Sequence, residues 1–497
     1  ASRRHRQHDD DLPRSLLGAV IVDPSLFAPE LIALLGGLLL FGAPLLGAGS
    51  TTNWRLAILV GLATVAGAIW TLPMSGEAFA PGIYHIDAFS QSVKVVLSLG
   101  YLLVILGARE PLTLKAHAWC ELPMFLLLAT VGMMIMVSAT ELLTLYIGME
   151  LTAYPVYIVI ALHRNPAVGA ESSTKYMVQG MMASAVSLYG MSFLYGLTGS
   201  TYFSAMGVQM STLAAAPIFW FGIVLLLSGF LFKLAVAPFH FWAADTYEAS
   251  PHEVITFVAS VSKVAAIALL CRIVSLVMPA GSQIMGLQSI LMWFALAAMT
   301  LGNLAALRQS DLKRLLGYSA VAHAGYALIG VQAMSANGLT AALFYAVGYG
   351  AMSLICFLVI AAVGRDQDRV SVEAMSGLWQ RSPGMALVFL VGLLGLIGLP
   401  PTVGFIGKWF LFSAAIEQGQ FVLVLVAAIN ATIALYYYLI VLRQIYLVEA
   451  AAEAPAVKWT PALVIATTIG SVIVVGMGVL PALVWDLAAL AVAALLG

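Results

Sequence analysis

The sequence has 497 residues, of which 62% are hydrophobic and 9% are charged, whereas soluble domains carry about 25% charged residues. Together with a mean hydropathy of +1.00, this composition excludes a soluble globular protein and indicates a polytopic membrane protein. The net charge of -1 excludes nucleic-acid binding that depends on bulk charge.

The three cysteines are Cys120, Cys271 and Cys356, and they lie far apart in the sequence. They form no CxxC motif and no Cys/His cluster, so we expect neither an iron–sulfur cluster nor a structural zinc site. We expect them to be small buried side chains.

The first 28 residues are predicted to be an N-terminal extension. Four arginines are interrupted by the acidic run Asp9–Asp11, which is unlike a transit peptide, and no apolar core is present as in a signal peptide. Two interpretations stay open: the remainder of a processed precursor, or an ordinary tail whose initiator methionine was removed.

Fourteen membrane spans are predicted from apolar runs of about 20 residues and the breakers between them. The predicted spans are 29–47, 54–73, 88–107, 119–139, 142–162, 173–197, 215–237, 253–278, 286–307, 312–334, 338–363, 383–417, 420–447 and 461–480. Pro238 follows the seventh span, and Pro400-Pro401 divides the twelfth, so we expect both helices to be broken. The tail from Pro481 to Gly497 is apolar but short for a span.

An even number of spans places both termini on one side of the membrane. Most lysines and arginines outside the spans fall in the loops of the opposite side, which predicts that these loops face the cytoplasm or matrix. The termini are therefore expected on the periplasmic or intermembrane side.

A repeat is indicated by the positions of four titratable residues. Glu150 and Lys233 lie in the fifth and seventh spans, and His323 and Lys408 lie in the tenth and twelfth. The offset of five spans inverts the topology, and paired, proline-broken segments at matching positions are typical of inverted repeats.

The predicted organisation of this all-α protein is therefore an extension (1–28), helices 1–3 (29–118), a first five-helix repeat (119–278, helices 4–8), a second five-helix repeat (286–447, helices 9–13), and helix 14 with the tail (461–497).

Glu150 is the natural partner of Lys233, because a nearby carboxylate restores the proton affinity that burial takes from a lysine. A change in their separation would let Lys233 take up or release a proton. The alternative is a static ion pair that locks two helices together. Lys263, in the eighth span, has no acidic residue within nine positions, which favours a water-filled interior over snorkelling to the surface.

His323 is either a group that titrates near neutral pH or a hydrogen-bonded core histidine. Lys408 follows Pro400-Pro401, where freed carbonyl groups are tolerated if they line a cavity. With Lys233 and Lys263, these residues form a row of titratable groups of the kind found in proton relays. Asp245 and Glu248 are interpreted as solvated charges of the loop after the seventh span, and Asp87 as a helix N-cap.

Several motifs, in order over residues 87–447, resemble the antiporter-like membrane subunits of respiratory complex I. They are GMELTAYPVY, FKLAVAPFHFWAADTYEASP, NLAALRQSDLKRLLGYSAVAHAGY and GLPPTVGFIGKW. The Asp245-x-Tyr247-Glu248 segment and a lysine at position 408 are most similar to the N-type group, called subunit 2 in mitochondria. Ala244 stands where the family usually has proline, and Ala249-Ser250 replaces the usual Gly-Ala.

The resemblance implies a fourteen-helix subunit in which Glu150 and Lys233 are a coupled pair, Lys263 is a relay and Lys408 is the distal lysine. It implies no redox centre in this chain, with NADH, FMN, iron–sulfur clusters and quinone bound by other subunits. The expected partners are the adjacent M-type antiporter-like subunit, small membrane subunits and lipids.

Three functional hypotheses remain from the sequence: a proton-translocating subunit of complex I, a cation/proton antiporter subunit of the same fold, and a membrane scaffold with static charge pairs. The extended N-terminus, which lacks an initial methionine, favours the mitochondrial inner membrane over a bacterial plasma membrane.

Overall fold

The computed structural model describes residues 24–78, 82–109, 112–213, 216–277, 285–450, 457 and 459–496. The helices are α1 (Ala28–Leu45), α2 (Ser50–Trp70), α3 (Ala88–Gly107), α4 (Leu122–Ser138), α5 (Leu142–Ala161), α6 (Pro166–Thr198), α7 (Phe203–Leu213), α8 (Pro217–Leu234), α9 (Phe241–Ala249), α10 (His252–Val277), α11 (Met285–Ala306), α12 (Leu312–Gln332), α13 (Ala336–Val363), α14 (Leu378–Arg381), α15 (Pro383–Ile397), α16 (Val403–Glu417), α17 (Phe421–Tyr446), α18 (Pro461–Val479) and α19 (Pro481–Leu496).

Three short 3-10 helices and one β-hairpin complete the secondary structure of the described residues. The 3-10 helices are Pro24–Phe27, Ala116–Trp119 and Val372–Met375. Strands β1 (Gly76–Ala78) and β2 (Tyr84–Ile86) pair antiparallel, with Glu77 opposite His85. Most of the predicted N-terminal extension, residues 1–23, lies outside the described residues.

The predicted all-helical membrane fold is confirmed. In the described part of the chain, 11 helices are long and apolar enough to cross a membrane, and they match eleven of the fourteen predicted spans. The fourth predicted span is α4, which has 17 residues, and the tenth is α12, which is more polar because it carries Lys313, Arg314 and His323. The twelfth is divided into α15 and α16, and the apolar tail forms α19.

The seventh predicted span is broken, as its proline suggested, but it ends earlier than expected. Helix α8 stops at Leu234, and Ala235 adopts a left-handed conformation with φ 58°. The chain then passes Pro238 and resumes as α9 at Phe241. The prediction that the span reaches residue 237 was wrong, because the left-handed residue is an alanine and gives no glycine signal in the sequence.

The break in the twelfth predicted span follows the usual chemistry of helix ends. Helix α15 ends at Ile397, and Gly398 has φ 90°, a left-handed conformation that favours glycine. Pro400 and Pro401 cannot continue the hydrogen-bond ladder. Helix α16 then begins at Val403 with Thr402 as its N-cap position, so Lys408 lies in the second turn after the break.

Helices α10 and α13 form the centre of the molecule. The span of α10 is 100% buried inside the protein, as expected of a helix whose apolar residues are spread around its whole circumference. It packs against α13, α3, α4, α12 and α8. Since α10 is the last helix of the first predicted repeat and α13 belongs to the second, their contact joins the two halves of the molecule.

The two membrane faces are named here after one residue each. The Asp87 face is where α3 begins and α10 ends; the Asp245 face carries α9 and the start of α12. Asp87 caps α3, as predicted: its side chain accepts a hydrogen bond from Ser90 N at 2.7 Å, and Ser90 Oγ accepts one from Asp87 N at 3.1 Å.

Gly404 lies where the two halves of the broken twelfth span cross. A Cβ atom there would lie 1.8 Å from the Gly395 carbonyl oxygen, whereas a Cβ atom at Gly196 in α6 would meet nothing within 4 Å. We expect Gly404→Ala to destabilise the protein by about 1–3 kcal/mol. Gly196→Ala is the control and should leave stability unchanged or slightly raised. Thermal unfolding in detergent measures the difference, and equal melting temperatures for the two variants would contradict the observed packing.

Candidate functional site: lysines at two broken helices

The end of α8 is capped by side chains from two other helices. The Lys263 ammonium, from α10, donates a hydrogen bond to the carbonyl of Leu234. The Trp242 indole N–H, from α9, donates to the carbonyl of Phe232 at 2.9 Å. The Lys263 ammonium also lies 5.6 Å from the centroid of the Trp242 ring. The Leu234 carbonyl, at a helix end without an intrahelical partner, is therefore satisfied inside the protein. The Phe232 carbonyl accepts from Trp242 in addition to the Ala235 N–H.

The end of α15 is capped by the lysine of its own second half. Lys408 Nζ donates to the carbonyls of Ile397 at 2.8 Å and Leu396 at 3.2 Å. It also lies 4.9 Å from the centroid of the Tyr326 ring. A Cβ atom at Gly398 would lie 3.1 Å from Lys408 Nζ, so the glycine also leaves space for the ammonium.

Both breaks therefore place a buried ammonium at the negative end of a half-helix, where the backbone dipoles stabilise positive charge. The capping lysine comes from α10 in the first half and from α16 in the second. In the structure, Lys408 therefore corresponds to Lys263, because both cap the end of a half-helix. The sequence pattern instead pairs Lys408 with Lys233, because these two lysines lie in the twelfth and seventh spans.

Lys233 lies in the last turn of α8 and is 8% exposed. Over the described residues, its side chain has no hydrogen-bond or ion-pair partner, and Glu150 is within reach of it only as a longer-range electrostatic attraction. Glu150 is half-buried on α5, and Tyr154 follows it one turn later on the same helix. The structure thus shows no direct contact of the kind that a static Glu150–Lys233 ion pair requires.

His323 is 2% exposed and hydrogen-bonds with two tyrosines. Its Nδ1 atom is hydrogen-bonded with the Tyr345 hydroxyl at 2.6 Å, and its Nε2 atom with the Tyr438 hydroxyl at 3.3 Å. The Tyr438 hydroxyl also hydrogen-bonds with Ser319. Neither tyrosine is expected from the sequence to contact His323, because an aromatic residue in an apolar span is usually a packing residue.

The charges interpreted from the sequence as loop residues form an organised cluster at the Asp245 face. Asp245 and Glu248 lie on helix α9, not in a loop, so that part of the interpretation was wrong. Arg314 of α12 pairs with Asp245 at 2.6 Å and Glu248 at 2.9 Å, and Lys175 of α6 lies 3.4 Å from Asp245. These side chains line a cavity of about 430 Å³ at this face.

Lys313 is a further buried polar residue at the Asp245 face, in the first turn of α12. It is 0% exposed. Its ammonium donates to the carbonyls of Ser250 at 3.1 Å and Asp368 at 2.8 Å. It therefore joins the start of α10 to the segment after α13. No group of three or more His, Cys, Asp and Glu side chains that could hold a metal ion occurs in the described ranges.

Two interrupted helices, each closed by a buried lysine, define a polytopic membrane protein with an ion-translocating fold. The family model described as "NADH:quinone oxidoreductase/Mrp antiporter, TM" matches residues 139–434, which is more than half of the chain. The protein belongs to this family.

Two curated relatives of this chain are both named as subunit N of an NADH-quinone oxidoreductase. NADH-quinone oxidoreductase subunit N 2 of Syntrophobacter fumaroxidans is 39% identical over 456 residues, covering 92% of this chain and 96% of the relative. Subunit N 2 of Opitutus terrae is 39% identical over 467 residues, covering 93% and 96%.

Solved structures have the same architecture. A chain of respiratory complex I from Thermus thermophilus superimposes with a TM-score of 0.79 at 30% identity, covering 93% of this chain and 99% of that chain. A chain of the Mrp complex from Dietzia sp. gives a TM-score of 0.82 at 22% identity, covering 95% and 99%; this second likeness concerns the fold alone.

The two lysine caps can be tested separately by hydrogen exchange in the backbone. Lys408→Met leaves the Leu396 and Ile397 carbonyls without their donor, which costs about 1–3 kcal/mol for a buried group. Amide exchange at Gly398, Leu399 and Thr402 is therefore expected to accelerate by about tenfold or more. Lys263→Met should instead accelerate exchange at Ala235 and Val236.

Each variant is the control for the other, and mass spectrometry of peptides covering both breaks reads both responses. An identical pattern in the two variants, or no acceleration in either, would contradict separate capping of the two half-helices.

Proposed function

We propose that this chain is a proton-translocating membrane subunit of an NADH–quinone oxidoreductase, with no redox chemistry of its own. The observation that carries the proposal is the pair of buried lysines at the carbonyl ends of two broken helices, in a chain whose curated relatives are named subunit N. The residues proposed to transfer protons are Glu150, Lys233, Lys263, His323 and Lys408.

The caps suggest how protonation is coupled to helix position. A lysine ammonium has three donors and a positive charge, whereas a neutral amine interacts more weakly with the negative end of a helix. Loss of the proton from Lys263 therefore loosens the end of α8, on which Lys233 lies. Loss of the proton from Lys408 loosens the end of α15 in the same way. Each loss of a proton from a capping lysine therefore weakens the end of the half-helix that this lysine caps.

Lys233 is the proposed exchange group of the first half, because it has no competing hydrogen bond in the described structure. Its attraction to Glu150 acts across a gap, so a movement that brings the two side chains into contact would change the proton affinity of Lys233. His323, hydrogen-bonded on both sides, is the proposed link between the central helices and Lys408.

The exposed residues around Glu150 indicate that another subunit covers this face of α5. On α5, Ile147 is 61% and Tyr154 is 49% exposed, so the half-buried carboxylate lies at the surface of the chain at membrane depth. A carboxylate facing lipid is costly. We propose that small membrane subunits cover this face, and that the M-type antiporter-like subunit lies beyond the second half. NADH, FMN, iron–sulfur clusters and quinone are proposed to bind to other subunits.

The proposed location is an energy-coupling membrane, with both termini on the periplasmic or intermembrane side. The named relatives are bacterial, which favours a bacterial plasma membrane over the mitochondrial inner membrane that the N-terminus suggested.

A cation/proton antiporter is the second candidate, because the matching family model also covers the Mrp antiporter. Purification of the chain from its native membrane distinguishes the two candidate functions. Co-purification with NADH-oxidising peripheral subunits supports the first function, and isolation with antiporter subunits alone supports the second.

Removal of the proposed exchange group tests the function directly. In the assembled complex, Lys233→Ala should lower proton pumping coupled to NADH oxidation by about tenfold or more, since loss of a proton-transfer group typically costs at least this much. Lys115→Ala, outside the spans, is the control and should pump normally. Inverted membrane vesicles with a pH-sensitive dye report the rate, normalised to the amount of assembled complex.

Unchanged pumping in Lys233→Ala would exclude the assigned role. The scaffold hypothesis predicts a different result: Glu150→Gln and Lys263→Met would reduce the amount of assembled complex and leave pumping per complex intact.

A further inference from the structure

A second group of buried charges lies at the Asp87 face, outside both five-helix repeats. Glu30 of α1 and Lys94 of α3 form an ion pair, with Lys94 Nζ 2.7 Å from Glu30 Oε1. The Tyr84 hydroxyl of β2 donates to the same oxygen at 2.6 Å. Glu30 is 4% and Lys94 is 0% exposed. Nothing in the proposed relay uses these residues.

Lys94 belongs to a polar stripe on the buried side of α3. Starting from the N-cap, polar residues recur at alternating steps of four and three residues, which places them on one side of a helix. The stripe consists of Asp87, Gln91, Lys94, Ser98 and Tyr101, each of which is at most 4% exposed. In a membrane helix, such a stripe faces protein or water and not lipid.

The charged residues nearest to the Glu30–Lys94 pair form contacts with one another. Arg272, from the end of α10, contacts both carboxylate oxygens of Asp87 at 2.8 Å, and its guanidinium lies 5.2 Å from the centroid of the Phe89 ring. His85 of β2 lies 4.0 Å from the same carboxylate. Asp87 is thus engaged by Arg272 and His85.

Several buried polar atoms of this cluster have no hydrogen-bond partner in the described protein. They are Nζ of Lys94, which meets Glu30 as an ion pair, the second carboxylate oxygen of Glu30, Nε of Arg272, and both the oxygen and the nitrogen of the Gln91 amide. Buried groups of this kind are normally satisfied by ordered water. A carboxylate, an ammonium and a buried amide next to one membrane face have the composition of a proton-exchange site.

We propose that Glu30 and Lys94, with the Tyr84 hydroxyl, form a further proton-transfer site that exchanges protons with water at the Asp87 face. The proposal rests on the proposed function, since it requires protons that move through this chain. Its chemistry is a transfer along the 2.7 Å contact, which converts the ammonium and carboxylate into an amine and a carboxylic acid. The acid then releases its proton to water at the Asp87 face, and the amine takes up a proton from water on the interior side.

If the Glu30–Lys94 pair only held α1 against α3, its residues could be replaced in ways that a proton-transfer site does not tolerate. A latch between α1 and α3 needs a favourable contact, which an arginine can supply in place of Lys94, or which a neutral pair of similar size can supply in place of both charges. A proton site needs a group that can lose its proton, and arginine does not do so in proteins.

The experiment therefore compares Lys94→Arg and the double variant Glu30→Gln/Lys94→Met in the assembled complex. We expect both to lower pumping per assembled complex at least about tenfold, and the double variant to do so even where assembly is normal. Ser92→Ala, on the half-buried side of α3, is the control and should pump normally.

Infrared difference spectra recorded between two pH values give a readout that a latch would not affect. A carboxyl band that Glu30→Gln removes and that shifts with pH supports exchange at Glu30. Normal pumping in the double variant, or no pH-dependent carboxyl band assigned to Glu30, would overturn the proposal. Lys233→Ala serves as the reference: if it impairs pumping and the Glu30/Lys94 variants do not, this inference fails while the proposed function stands.

Discussion

The negative end of an interrupted helix inside the membrane is the constraint on which the rest of this structure depends. A helix that stops at Leu234 or Ile397 leaves carbonyl groups without intrahelical partners, and the apolar part of a bilayer offers no water to satisfy them. The protein supplies lysine ammonium groups at both places. These lysines are stabilised by the helix ends, and the helix ends are stabilised by the lysines.

This mutual dependence makes a buried lysine tolerable. A lone lysine at the centre of a membrane helix costs about 2.5–3.5 kcal/mol on insertion scales. Backbone carbonyls and aromatic ring faces recover part of this cost: Lys263 has Leu234 and Trp242, and Lys408 has Ile397 and Tyr326. Lys233 has no comparable partner in the described residues, which separates it chemically from the other two.

The sequence predicts much of the fold because membrane spans and proline breaks are local signals. Pro238 and Pro400-Pro401 locate both interruptions. The contacts of the lysines were not predictable, since they depend on where a half-helix ends, and Ala235 gives no sign of its left-handed conformation. The Glu30–Lys94 pair was missed for a related reason: 64 residues separate its members, and no spacing rule connects two different helices at that distance.

Helix α9 has a consequence for how the two halves of the molecule communicate. On one side, Asp245 and Glu248 of this nine-residue helix pair with Arg314, which belongs to the second half. One turn earlier, Trp242 donates to Phe232 at the end of α8 and stacks on Tyr176 with ring centroids 4.5 Å apart. A helix of two and a half turns that is held at both ends can shift only as one rigid body. A tilt of α12 that pulls on Arg314 would therefore be felt at the turn that carries Lys233, through hydrogen bonds and ion pairs alone and with no proton passing between the halves.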